Sequence, residues 1–229
     1  MYALYIANKN YSSWSLRPWA LMRERGIPFE ERRVLLGEGS NWDAYRKFSP
    51  NGRVPCLVDG GTRVWESLAI AEYLAERHKG IWPEDPAARA WARCAAAEMH
   101  AGFAALRDVC TMNVGIRVRL RDTPPALARD VARIAELWNE GLGRFGGPFL
   151  AGKTFTAADA FFAPVAFRVR TYGLALDGAA APYAERLRAL PSLRDWEAAA
   201  LRETTREPGH EDEARRAGEW LEDRRAPPT

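Results

Sequence analysis

Cysteine is scarce in this chain of 229 residues, which contains only Cys56, Cys94 and Cys110. Three is an odd number, and no two of them follow the C-x-x-C spacing of a redox dithiol or a zinc site. The spacing therefore argues against a disulfide framework and gives no support to a metal centre. We expect buried, free thiols in a protein from a reducing compartment.

Long apolar runs and a strong charge imbalance are also lacking. No hydrophobic stretch is long enough to cross a bilayer, and the N-terminus lacks the basic and apolar regions of a signal peptide. The 33 basic and 30 acidic residues are dispersed, which is a poor argument for nucleic-acid binding. Because 47% of the residues are hydrophobic, the chain can bury a core. We expect a cytoplasmic protein that binds neither nucleic acid nor membrane.

The first 80 residues alternate between strand-like and helix-like patterns, which predicts an α/β domain. The turn signal Asp59-Gly60-Gly61 indicates a β-hairpin, and the apolar spacing after Glu66 indicates a helix. The predicted order is therefore β-α-β-α-β-β-α. In chain order these elements are a buried strand at 2–7, a helix from about Ser15, an edge strand at 29–35, a helical patch at 42–48, the hairpin at 55–65 and a helix from Glu66.

The composition changes after residue 80. A rigid, proline-containing linker at 81–86 precedes an alanine-rich region without convincing strands. We expect residues 87–204 to form an all-α helical bundle and residues 205–229 to form a charged surface tail with at most one amphipathic turn. The predicted helices of the bundle span about 87–109, 124–145, 156–172, 182–190 and 192–204.

Ser12-Ser13-Trp14-Ser15 lies between a predicted strand and a helix. A hydroxyl at this point can donate a hydrogen bond to a thiolate, and the helix dipole stabilises the same negative charge. Serines in such loops are also frequent as helix caps. This segment alone therefore leaves both interpretations open.

Val54-Pro55 and Glu66-Ser67 are the other two informative segments. A cis Val54–Pro55 bond would turn the backbone groups of Val54 outward, where they could pair with a peptide ligand, although a trans proline at a strand start is the commoner case. The helix that begins at Glu66-Ser67 offers free N–H groups and a dipole to a carboxylate, although simple capping also explains a serine there.

The three segments together, in this order, resemble the cytosolic glutathione S-transferase family, in which a thioredoxin-like domain precedes an all-helical domain. The run from Ser12 to Arg17 is most similar to the serine-type classes, zeta and tau among them. The resemblance implies that Ser12, or Ser13 as its nearest substitute, activates the sulfur of glutathione. It also implies a cis Pro55.

The same resemblance implies how glutathione is held. Val54 pairs with the cysteinyl backbone, Arg53 faces the glycyl carboxylate, and Glu66 with Ser67 holds the γ-glutamyl end. Glutathione is then a co-substrate, no metal or other cofactor is needed, and the protein is a homodimer. The Thr156-to-Asp159 capping box resembles that of the family's central buried helix.

Trp14 departs from the zeta pattern, which has cysteine at this position. This difference argues against maleylacetoacetate isomerase or dehalogenase activity. The electrophile pocket is expected between the two domains, where His100 and Arg107, seven residues apart, share one helical face. Its candidate residues are Tyr11, Trp14, His100, Arg107, Met112 and Asn113.

Two functions remain open at this point. The first is a glutathione transferase that adds the thiolate to a small, partly apolar electrophile. The second is a glutathione-binding or regulatory module of the same fold with little turnover. A thiol–disulfide oxidoreductase is not favoured, because positions 12, 13 and 15 carry no cysteine.

Overall fold

The computed structural model of the chain describes residues 1–36 and 41–228. Its first part has the predicted order of strands and helices. The elements are β1 (Tyr2–Ile6), α1 (Ser13–Glu24), β2 (Phe29–Arg33), α2 (Trp42–Arg46), β3 (Cys56–Asp59), β4 (Thr62–Trp65) and α3 (Ser67–Ala75).

These strands form one mixed sheet in the order β2-β1-β3-β4. Strand β1 is central, parallel to β2 and antiparallel to β3, and its Leu4 and Ile6 side chains are fully buried. Strand β2 has the sequence Phe-Glu-Glu-Arg-Arg and lies at the edge, where charged side chains reach water. The edge position predicted for it is confirmed.

The register of the sheet brings the three informative segments together. Tyr5 of β1 pairs with Cys56 of β3, and Cys56 pairs with Trp65 of β4. The loop after β1, the segment before β3 and the beginning of α3 therefore meet at one end of the sheet.

Helices dominate the chain after residue 80. They are α4 (Pro86–Ala101), α5 (Ala104–Val109), α6 (Pro125–Phe145), α7 (Ala157–Tyr172), α8 (Ala180–Ala189), α9 (Pro191–Leu201) and α10 (Pro208–Ala217). Helix α7 is almost wholly buried and packs against α1, α4 and α8, so it joins the two parts of the chain. The predicted capping box at its start is confirmed: the Thr156 N–H donates to Asp159 Oδ2 at 2.9 Å.

The single helix expected at 87–109 is two helices. Gly102 has an extended backbone, and Phe103 has the left-handed values φ 59° and ψ 46°, which no α-helix accommodates. The prediction that His100 and Arg107 share one helical face is therefore wrong. No proline stands at the break, and glycine alone is a weak stop signal within an alanine-rich pattern.

The C-terminal half is also not purely helical. Strand β5 (Ile116–Leu120) pairs antiparallel with β6 (Gly218–Asp223) in a second, two-stranded sheet. The apolar side chains of β5 alternate with arginines, which is a strand pattern, but its partner lies about a hundred residues later in the chain. Sequence analysis offered no signal for that pairing.

The prediction of a surface tail at 205–229 is wrong as well. This segment forms α10 and β6, and its Glu211 and Arg225 are only 5% and 7% exposed. Charged residues are buried here because they bind one another, which a reading of composition alone does not show.

The three cysteines differ in exposure. Cys56 and Cys110 are buried, as expected, whereas Cys94 is exposed, and all three are free thiols. Within the described part of the chain, no helix is both long enough and apolar enough to cross a membrane.

Candidate functional site

A cavity of about 720 Å³ opens where the end of the first sheet faces the helices of the second part. It brings together eight of the thirteen site residues predicted from the sequence. These are Tyr11, Ser12, Ser13, Trp14, Arg53, Val54, Arg107 and Met112.

The two serines lie at the N-terminus of α1. The helix begins at Ser13, two residues earlier than predicted, and Ser12 is its N-cap. Ser12 Oγ accepts from the Ser15 N–H at 3.4 Å and donates to Ser15 Oγ at 2.7 Å. Ser13 Oγ instead accepts from Nη2 of Arg168 at 3.5 Å. The free N–H groups and positive end of the helix dipole therefore lie beside two hydroxyls.

Arg53 and Val54 form the next part of the wall. The Val54–Pro55 peptide is cis, as the resemblance implied. Arg53 is exposed and lines the cavity, whereas Pro55 is buried and does not. Arg53 and Val54 are thus the residues of this segment that a ligand in the cavity can contact.

Glu66 and Ser67 lie next to the cavity but outside its wall. Glu66 has φ 66° and ψ 129°, a conformation that is rare outside glycine and costs of order 1–3 kcal/mol. Its Oε1 accepts from Nδ2 of Asn51 at 3.1 Å. Ser67 is 1% exposed, and its Oγ accepts from Nη1 of Arg17 at 3.4 Å. The exposed carboxylate of Glu66 is the more accessible of the two groups.

Of the six residues predicted for the electrophile pocket, His100 and Asn113 do not line the cavity. His100 packs edge-on behind Trp14, with ring centroids 5.2 Å apart. Asn113 is 1% exposed and donates from Nδ2 to Glu211 Oε1 at 3.1 Å. Asn113 belongs to a buried network, because the C-terminal segment, which we expected on the surface, covers it.

Three arginines around the serines have no acidic partner. Among residues 1–36 and 41–228, no carboxylate lies within ion-pair distance of Arg17, Arg107 or Arg168. Arg17 is fully buried, and Arg168 is 4% exposed. Burial, followed by the neighbouring arginines, lowers the pKa of Arg17 and lowers that of Arg168 to about 10. Arg107 and Arg168 therefore bring positive charge to the cavity wall, which Asp108 and Glu213 also line.

The C-terminal segment completes the cavity with residues of α10. Arg225 anchors this segment through two hydrogen bonds to Glu211, at 2.6 and 3.0 Å, and Glu211 accepts from the Tyr11 hydroxyl at 2.8 Å. Burial acts to raise the pKa of Glu211, but hydrogen bonds from Arg225 and Tyr11 outweigh it and lower that pKa. The carboxylate therefore stays ionised.

Sequence analysis missed several lining residues from the second part of the chain. They are Asp108, Thr111, Arg168, His210, Glu213 and Arg216. Arg168 had a usable signal, because an arginine inside the apolar run of α7 is unusual for a buried helix. The residues of α10 had none, because their place depends on the β5–β6 pairing. No group of three or more potential metal-ligating side chains occurs in the described parts of the chain.

The family of the chain is shown by its similarity to known proteins. Residues 11–77 match the model of the glutathione S-transferase N-terminal domain, and residues 124–201 match that of the C-terminal domain. Glutathione S-transferase F14 of Arabidopsis thaliana is 30% identical over 162 residues, which span 66% of this chain and 63% of that protein. The glutathione S-transferase-like protein OpS6 of Beauveria bassiana is 26% identical over 180 residues, or 70% of this chain and 76% of its own.

Solved structures agree on the fold. A glutathione transferase homologue from Burkholderia, with bound glutathione, superposes with a TM-score of 0.65 at 24% identity, covering 87% of this chain and 97% of its own. Both domain models match in the expected order, and together they cover more than half of the chain. The chain therefore belongs to the glutathione S-transferase family.

Proposed function

We propose that this protein is a glutathione transferase, which ionises the thiol of glutathione and adds the thiolate to a small, partly apolar electrophile. One observation carries the proposal. The register of the first sheet brings a serine-bearing helix N-terminus, the Val54–Pro55 segment and the beginning of α3 to one end of the sheet, and Ser12, Ser13 and Val54 line a large cavity there.

Each of these segments suits one part of glutathione. The backbone of Val54 would pair with the cysteinyl residue, and Arg53 would face the glycyl carboxylate. The carboxylate of Glu66 would accept from the γ-glutamyl ammonium, while Ser67 and the free N–H groups at the start of α3 would bind the γ-glutamyl carboxylate. The sulfur would then lie beside Ser12 and Ser13.

Such a site can supply the free energy that lowering the pKa of the thiol requires. A thiol with a pKa near 8.5 is only about 3% ionised at pH 7, and lowering its pKa by two units requires about 2.7 kcal/mol. A hydrogen bond to a charged group contributes about 1.5–3 kcal/mol. One serine hydroxyl and the dipole of α1 therefore suffice.

The acceptor side of the cavity has a mixed character. Tyr11, Trp14 and Met112 give it apolar walls, and Arg107 adds a positive charge. This composition suits a partly apolar electrophile. Glutathione would act as co-substrate, with no further cofactor in the reaction.

The subclass and the assembly are part of the same proposal. The Ser12–Ser15 run supports a serine-type enzyme, in which a hydroxyl rather than a cysteine contacts the sulfur. The family resemblance supports a homodimer, which light scattering coupled to size-exclusion chromatography tests directly.

The activity is tested with glutathione and 1-chloro-2,4-dinitrobenzene. We expect conjugation by the wild-type protein and a loss of about tenfold or more in kcat for the double variant Ser12→Ala/Ser13→Ala, because both candidate donors to the thiolate are removed. Ser192→Ala is the matched control, since Ser192 lies in α9, outside the cavity wall, and its hydroxyl has no hydrogen-bond partner.

Calorimetric titration with glutathione completes this test. Tight glutathione binding without conjugation of any of several electrophiles would contradict the enzyme and favour a binding or regulatory module. Equal activity of the double variant and the wild type would contradict the serine mechanism while leaving the transferase in place.

A further inference from the structure

The two candidate serines differ in what their hydroxyl protons do. Ser12 caps α1, and its O–H donates to Ser15 Oγ at 2.7 Å. Its oxygen also accepts from the Ser15 N–H. The proton of Ser12 is therefore committed to the protein, and a ligand sulfur would have to displace an existing hydrogen bond.

Ser13 has the opposite arrangement. Its oxygen accepts from Nη2 of Arg168 at 3.5 Å, and in the part of the chain that the structure describes its O–H donates to no protein group. Ser13 also lines the cavity. A hydroxyl that accepts from a cation directs its own proton away from that cation, and the hydrogen bond makes the proton a better donor.

Arg168 is a charge without a protein counterion. Its Nε donates to the Cys110 carbonyl at 2.7 Å, which fixes the side chain, while Nη1 is buried and has no hydrogen-bond partner among residues 1–36 and 41–228. An isolated buried guanidinium is costly, and the usual compensation is a carboxylate. Here the chain supplies none within ion-pair distance in its described residues, and the side chain borders the cavity instead. We therefore expect a bound anion to supply the negative charge beside Arg168.

We propose that Ser13, rather than Ser12, donates the hydrogen bond to the glutathione sulfur, and that Arg168 supplies the positive charge that stabilises the thiolate. This inference rests on the proposed transferase function. The sulfur that accepts the Ser13 proton would lie beyond Ser13 Oγ as seen from Nη2, which is 3.5 Å from that oxygen, so the guanidinium would act on the thiolate across the hydroxyl and not by direct contact. On ionisation the thiol proton leaves to solvent water, no bond of the protein is broken, and Ser13 keeps its proton as the donor.

The test measures the pKa of the bound thiol. The ultraviolet difference absorbance of the glutathione thiolate is titrated against pH for the wild type, Ser12→Ala, Ser13→Ala, Arg168→Gln and Arg168→Lys. We expect the midpoint to rise by about one pH unit or more in Ser13→Ala and Arg168→Gln, and to stay near the wild-type value in Ser12→Ala. Arg168→Lys keeps the charge and should give a midpoint below that of Arg168→Gln.

Steady-state kinetics provide the second readout. Conjugation at neutral pH should fall about tenfold in Ser13→Ala and Arg168→Gln and should recover as the pH rises through the new midpoint, because one pH unit changes the thiolate fraction tenfold.

The titratable groups around Arg168 are Arg107, Cys110 and Tyr172. Burial raises the pKa values of Cys110 and Tyr172 to about 12, so neither titrates in this range. His210 also lines the cavity, and His210→Gln is the control for its contribution.

Three results would overturn the inference. A raised midpoint in Ser12→Ala but not in Ser13→Ala would show that the Ser12–Ser15 bond reverses when glutathione binds. An unchanged midpoint in Arg168→Gln, with activity lost only toward electrophiles that carry a carboxylate, would assign Arg168 to the acceptor. An unchanged midpoint in Ser13→Ala, which removes only one hydroxyl, would exclude Ser13 even if Arg168→Gln failed to fold.

The proposed function fails by a separate result. If wild-type protein saturated with glutathione shows no thiolate absorbance at neutral pH and conjugates no electrophile, the transferase itself is excluded. A normal thiolate signal with unchanged variants excludes only the roles of Ser13 and Arg168.

Discussion

Trp14 brings together residues from different parts of the chain. The guanidinium of Arg17 lies 4.1 Å from its ring centroid and that of Arg107 lies 4.8 Å away, while His100 packs against it edge-on. Cation–π contacts of this kind contribute about 0.5–2 kcal/mol each. They hold the indole next to the serines, where Trp14 lines the cavity.

His100 gives a pH prediction at the scale of one residue. Burial, and then Arg17, lowers its pKa below 6.5, against the opposing effect of Glu66, and Arg107 lowers it further. The unfolded chain therefore binds more protons than the folded protein as the pH falls through 6.5, and the folded state loses stability until the lowered pKa is passed. In denaturant unfolding, the free energy of unfolding of the wild type should fall relative to that of His100→Asn as the pH drops from about 7.5 to about 5.5.

The control for this prediction is His78→Asn, which removes a histidine from another part of the fold, where it bonds to Tyr2. Parallel stability curves for the wild type and His100→Asn across this range would contradict the argument. They would mean that the imidazole behind Trp14 protonates as easily in the folded state as in the unfolded chain.

Helix α7 is the element that connects the two parts of the chain. Its N-terminus is held by Asp159, which accepts from the Thr156 N–H, the Leu150 N–H and the Tyr183 hydroxyl at 2.7–2.9 Å. Burial raises the pKa of Asp159 although each of these donors acts to lower it. Arg168 lies near the other end of the same helix, far from the capping box.

Thr156→Ala should lower the free energy of unfolding by about 0.5–2 kcal/mol, because the side-chain half of the capping box is lost. Chemical denaturation measures this loss, and Thr156→Ser, which keeps the hydroxyl, should restore most of it. The thiol titration should be unchanged. A large loss of kcat without a loss of stability would contradict a purely structural role for the box.

At the scale of the whole molecule, the C-terminal segment joins the beginning of the chain to its end. Arg225 bonds to Glu211 and also donates from Nη1 to the Tyr11 hydroxyl at 3.1 Å. Helix α10 continues directly into strand β6, and β6 pairs with β5. This pairing holds α10 beside the cavity. The final segment is therefore part of the folded unit, and its helix α10 contributes to the cavity wall.

Removing one partner of the Arg225–Glu211 ion pair should lower the free energy of unfolding. Arg225→Met leaves the Glu211 carboxylate buried without its counterion, and we expect a loss of about 3–5 kcal/mol in the free energy of unfolding. The double variant Arg225→Met/Glu211→Met should lose less than the sum of the single variants, because it leaves no unpaired carboxylate at the buried position 211, while Asp223, which also accepts from Arg225, is partly exposed. Denaturant unfolding of the four proteins measures this coupling, and additive losses would contradict it.

The sequence by itself determined the order of elements in the first 80 residues. Local signals decided β1, the hairpin at Gly60 and helices α1 and α3, because apolar periodicity and turn chemistry act between residues that are neighbours in the chain. The same local signals placed the serines, Pro55 and a helix N-terminus on elements whose register then had to bring them together, whereas the cis form of Pro55 was implied only by the family resemblance.

Tertiary structure alone decided the rest. The break at Phe103, the pairing of β5 with β6 and the burial of Arg225 against Glu211 depend on contacts between distant residues. The roles open to Ser12 and Ser13 also separate only in the fold, since Arg168 reaches one of them from 155 residues away. Sequence neighbours fix the conformation of a segment, but only the packed molecule fixes which hydroxyl faces an unpaired charge.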